Sequence, residues 1–102
     1  MSSSIVYMVI IADREQRKSL LSELAKRNCH IINTVYAHGS VRTSSTLLSA
    51  FGFVPDEHKI MITCLTDHAS GDALLDALET KYNFDKPNTG IAFTIPVEGL
   101  SY

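Results

Sequence analysis

Ile5-Val6-Tyr7-Met8-Val9-Ile10-Ile11 is an unbroken run of seven apolar residues, rich in β-branched and aromatic types. It is too short for a helix of its own and reads as a strand. Alternate residues of a strand point to opposite faces, so Ile5, Tyr7, Val9 and Ile11 line one face and Val6, Met8 and Ile10 the other. Both faces are apolar, so both call for cover. The chain has 102 residues, which fits a single domain spanning 1–102 with a modest core. The run is therefore expected to be a central strand of that core.

The rest of the chain supplies partners for it. Asp13 with Gln16 three residues later has the form of a capping box and predicts a helix start. Leu20, Leu21, Leu24 and Ala25 then share one helical face. Lys26 and Arg27 suit the last turn, and Asn28 is the expected stop. Residues 31–37 read as a second strand, closed by Gly39. Residues 40–57 lie between strands, with Ser44 and Ser45 placed to cap a short turn through Leu47, Leu48 and Phe51. Residues 59–66 alternate as a third strand. Asp67 or Ser70 caps a second helix, with Leu74, Leu75, Leu78 and Tyr82 on its buried side. Residues 85–90 have the composition of a loop, and residues 91–97 are a fourth strand containing Pro96.

This order, βαββαβ, predicts an α+β, ferredoxin-like sandwich: a four-stranded antiparallel sheet with both helices on one face. In the usual strand order of that fold, 4-1-3-2, the first and third strands are central. The fourth is an edge, where Pro96 is tolerated. Two helices cover one face only. The second apolar face of residues 5–11, joined by Met61 and Leu65, is left over and predicts an oligomer formed through it.

Charge and composition exclude several classes. Nine basic and eleven acidic residues give a net charge of −2, without the basic excess of a nucleic-acid binder. No segment approaches the ~20 apolar residues of a membrane span, and residues 1–4 do not read as a signal peptide. Two cysteines make no disulfide scaffold. The expected location is the cytoplasm.

Three stretches resemble the nitrogen-regulatory PII signalling family and its PII-like relatives. Gly39-Ser40-Val41-Arg42-Thr43-Ser44-Ser45 stands where that family has the base of its long T-loop. Phe51-Gly52-Phe53 with Glu57-His58-Lys59-Ile60 resembles the approach to the third strand in a PII-like subgroup. Residues 89–97 resemble the segment that leaves the B-loop. The resemblance implies a homotrimer with ligand clefts between subunits, an adenine nucleotide as effector, and a T-loop-like insert at about 40–57. By the same resemblance, the insert would dock on a regulated partner such as a membrane transporter or an enzyme of nitrogen metabolism.

By the resemblance, Gly39, Ser40, Lys86, Asn88, Thr89 and Gly90 would bind the ligand. Glycine lets backbone N–H groups approach an anion. Arg42, Ser44, Ser45, Leu47 and Phe51 would belong to the docking loop. The family's phosphate-binding C-terminal arginines have no counterpart in Glu98-Gly99-Leu100-Ser101-Tyr102, so a low-charge nucleotide is the better match. The alternative with the same topology is a trimeric metal-binding protein of the CutA type. Within the chain, His30, His38, His58 and His68 show no ligand spacing, so no metal site is assigned. No catalytic constellation is assigned either: Cys64 and His68 lack a third, orienting group.

Overall fold

The structure, a computed structural model, describes residues 5–36, 59–86 and 89–99. The elements run β1 (Ile5–Asp13), a 3-10 turn (Arg14–Gln16), α1 (Arg17–Lys26), β2 (His30–Tyr36), β3 (Lys59–Asp67), α2 (His68–Lys81) and β4 (Ile91–Val97). The strands form one antiparallel sheet in the order β2-β3-β1-β4, the expected 4-1-3-2 order read from the other edge. Pro96 falls in the edge strand β4. The opposite edge, β2, is interrupted by a register shift between His30 and Asn33. The insert at 40–57, with its expected turn through Leu47, Leu48 and Phe51, lies outside the described residues.

The two-faced apolar pattern of β1 organises the core. Met8, Ile10 and Ala12 pair with Cys64, Ile62 and Ile60 of β3. Leu20 and Leu24 of α1 and Leu74 and Leu78 of α2 close over them. On the other face Val9 and Ile11 pack with Met61, Ile91 and Phe93. Ile11 is only 2% exposed there. Lower on that face Tyr7 and Ile95, paired across β1 and β4, are 38% and 47% exposed. The apolar surplus read from the sequence is therefore present on the side without helices.

Helix ends follow local chemistry, with one exception. Asn28 (φ 64) stops α1 in the left-handed region, which asparagine tolerates, and the N–H groups of Arg27 and Cys29 reach back to the Leu24 carbonyl. Asn83 (φ 60) does the same after α2, where Tyr82 and Phe84 donate to the Leu78 carbonyl. Of the two candidate caps for α2, Asp67 is the one used. Its carboxylate accepts from the Ser70 N–H at 2.9 Å and the Ser70 hydroxyl at 2.6 Å. The exception is the start of α1. The capping box of Asp13 and Gln16 does not form, and a 3-10 turn stands in its place. Asp13 instead extends β1 and bonds Lys59 at 2.6 Å.

The buried face of α1 also differs from its sequence pattern. Ala25 is exposed, and Glu23 is buried with Leu20 and Leu24. Glu23 accepts from Arg27 at 2.7 Å and from Lys81 of α2 at 3.4 Å. The Arg27 guanidinium, helped by Lys81, holds its carboxyl below the ordinary carboxylate range, against the opposing effect of burial. Ser19 and Tyr82 add a hydroxyl–hydroxyl bond of 2.6 Å between the same helices. Among the described residues no helix is long and apolar enough to cross a membrane.

Candidate functional site

Antiparallel register collects four chain segments at one end of the sheet. β1 ends at Asp13 opposite Lys59, the first residue of β3. Tyr36, the last residue of β2, pairs with Ile60. Ile91, the first residue of β4, pairs with Ile11. The insert and the loop that precedes β4 therefore open at the same end. β2 and β4 are opposite edges of the sheet, three strand spacings or about 14 Å apart. The Asp13–Lys59 pair stands between them, its ammonium nearly buried and its carboxylate half-exposed.

The loop before β4 is built by close packing against α2. Gly90 is buried against the ring of Phe84, and a Cβ there would lie 2.4 Å from the Phe84 Cε1 and Cζ atoms. Only a glycine lets the chain pass this close. Phe84 is in turn set by its N–H bond to Leu78 and by an edge-to-face contact with Tyr82. Beside this contact is a cavity of about 300 Å³ lined by Leu75, Leu78, Glu79, Phe84, Gly90, Ile91 and Ala92. Its lining mixes apolar side chains with polar surface and includes the exposed Glu79.

Of the residues proposed from sequence, the structure describes three. Gly90 lines the cavity. Thr89 precedes it and is half-buried. Lys86 is exposed, with its N–H turned back to the Asn83 carbonyl at 2.9 Å. Gly39, Ser40 and Asn88, and the docking-loop candidates Arg42, Ser44, Ser45, Leu47 and Phe51, lie outside the described residues. Glu79 and Phe84 were not anticipated. No local pattern marks them, because their role comes from a contact between α2 and a loop.

Among the described residues no three His, Cys, Asp or Glu side chains gather to hold a metal ion. His68 is exposed and faces Asp72 at 3.3 Å, and Cys64 is buried in the core. His30 and Cys29 diverge as expected from adjacent positions: Cys29 is buried, while His30 is exposed and reaches Asn28 at 3.2 Å.

No family model matches the sequence, and no curated protein matches it. Solved structures do. A protein of Thermus thermophilus, assigned as a PII-like signalling protein, superposes with a TM-score of 0.66 at 16% identity, covering 93% of this chain and 87% of its own. CPII from Thiomonas intermedia, bound to ADP, AMP and acetate, gives 0.66 at 16% identity over 95% of this chain and 91% of its own. CutA1 from Oryza sativa gives 0.61 at 16% identity over 97% and 84%. The layout that the sequence shares with PII-like proteins is thus met in three dimensions: this chain has the ferredoxin-like fold of the PII-like signalling proteins, which CutA1 also shares.

Proposed function

We propose that the chain is a PII-like regulatory protein of the cytoplasm and not an enzyme. In this reading it is a homotrimer joined through the helix-free sheet face, where Tyr7 and Ile95 remain exposed in the single chain. A small effector binds between neighbouring subunits at Gly39, Ser40, Lys86, Asn88, Thr89 and Gly90. The insert at 40–57, with Arg42, Ser44, Ser45, Leu47 and Phe51, docks on a regulated protein such as a membrane transporter or an enzyme of nitrogen metabolism. The observation that carries the reading is the common opening of the insert and the Gly90 loop at one end of a sheet whose fold is shared with PII-like proteins.

The adenine nucleotides held by CPII support a nucleotide as effector. The local chemistry favours one of low charge. No basic residue lines the cavity beside Gly90, and Lys86 is the nearest basic residue in sequence. Phosphates would sit on the outer side of the loop, toward Lys86, Asn88 and Thr89. Calorimetry with AMP, ADP and ATP is the test. AMP or ADP binding at least as tightly as ATP, weakened by Lys86→Ala, is the expected result. Binding of a divalent metal with no nucleotide binding would select the CutA-type alternative, which the likeness to CutA1 keeps in view.

A further inference from the structure

Cys29 and Cys64 take no part in the loop end of the sheet. Both thiols are free, both belong to the same core cluster, and they are 9% and 1% exposed. β2 begins with His30 paired to Leu65. Extending that register by one residue sets Cys29, just before β2, opposite Thr66, one diagonal step from Cys64 and on the same helix-covered face. The backbone around Cys29 is held on both sides: Thr66 donates to the Asn28 carbonyl at 3.0 Å, and the Cys29 N–H donates to the Leu24 carbonyl at 3.4 Å. The two thiols are neighbours in that core cluster, and the Cys29 thiol donates to the Arg27 carbonyl at 3.8 Å.

We propose that Cys29 and Cys64 are a redox-active thiol pair that closes to a disulfide within one chain when the protein meets a hydroperoxide. Cys29 is the attacking sulfur, being the more exposed of the two. Hydrogen bonds from Cys64 and Thr66, with the charge of Arg27, hold its thiol below the ordinary range, opposed by burial and by Asp67. The Cys29 partner and burial push the Cys64 thiol up. The Cys29 thiolate attacks one peroxide oxygen, the O–O bond breaks, and the departing oxygen takes the thiol proton to leave as water or an alcohol. Cys29 is then a sulfenic acid. The Cys64 sulfur attacks it, the S–O bond breaks, and hydroxide leaves as water with the Cys64 proton. The two thiols lose two electrons and the peroxide gains them.

The local backbone has the slack this requires. The ladder shifts between His30 and Asn33, and Asn28 and Ile31 sit in the left-handed region. Ile31 is β-branched, has φ 53 and is 69% exposed, so this stretch is strained and lightly packed. A small shift at the start of β2, where the ladder is already irregular, would bring the sulfurs to a bond of about 2.05 Å. The pair lies toward the sheet end opposite the proposed effector loops, and the inference stands apart from the nucleotide reading.

The test treats the full chain with hydrogen peroxide, then counts thiols after denaturation and measures the intact mass. Both thiols are expected to vanish together, with loss of two hydrogen masses and a peptide joining Cys29 to Cys64, all reversed by a dithiol reductant. Cys64→Ala is expected to stop at a sulfenic acid on Cys29 that dimedone traps. Thiols left intact, cross-links formed only between chains, or Cys29 over-oxidised while Cys64 stays free would each overturn the proposal. The wild-type measurement decides by itself if the variant fails to fold.

Discussion

Asp13 accepts a hydrogen bond from the Lys59 ammonium at 2.6 Å across the last rung that joins β1 to β3. The pair fixes the point where the chain returns to the sheet after the insert. Asp13→Asn keeps the shape and removes the charge. Because the carboxylate is half-exposed, solvent screening limits its worth, and a loss of about 1 kcal/mol is expected. Denaturant unfolding of the variant measures it. No change in midpoint would mean that Lys59 is held by its other contacts alone.

Gly90 makes a second prediction. A methyl at this position meets the Phe84 ring, so Gly90→Ala should cost about 1–3 kcal/mol by overpacking. The cost should shrink when Phe84 is Leu, and a double-mutant cycle reads the coupling. Equal costs in both backgrounds would separate the two residues. Ligand studies are better served by Lys86 and Thr89, since a change at Gly90 disturbs the loop whether or not a ligand binds there.

Acid should act through Asp67. The Ser70 side chain and backbone, with Asn28, hold its folded pKa down to about 2. The unfolded value is near ~3.9. A depressed carboxylate stabilises the fold above the unfolded value, and that stability is lost as the pH falls from about 4 through about 2. Asp67→Ala removes the cap of α2 and should lower Tm by a few degrees at neutral pH. The gap between variant and wild type should close on acidification across that window. A gap that stays constant all the way down to the folded pKa would contradict the assignment.

Tyr7 and Ile95 probe the proposed trimer. They are exposed in the single chain, whereas Val9 on the same face is already buried, so Val9→Lys would unfold the chain rather than part its copies. Tyr7→Asp with Ile95→Asp should convert a particle of about 34 kDa (three times 11.3 kDa) to a folded monomer by light scattering. A wild-type chain that scatters as a monomer at micromolar concentration would defeat the trimer outright.

The strand order is legible because one run, Ile5–Ile11, is apolar on both faces and can only be central. Asn28 as a stop and Pro96 on an edge follow from backbone chemistry that acts within a few residues. The start of α1 is not legible, for the opposite reason. Asp13 has the residue type and spacing of a cap, but its carboxylate is taken by Lys59, 46 positions away. Glu23 is buried among leucines because Lys81 and Arg27 reach it, a circumstance that helical periodicity cannot encode. At the candidate site Gly90 could be named from a loop motif. Phe84 and Glu79 could not, since nothing in their local sequence records that a loop passes over α2.

Both borders of the sheet carry a defect. Pro96 leaves β4 without one N–H, and the shifted ladder of β2 breaks the regular spacing of its outer groups. A foreign strand laid along either border would lose rungs at once. Strand-to-strand addition along the described borders is therefore disfavoured. Seeded fibril growth should find a poor template along the borders of the described sheet.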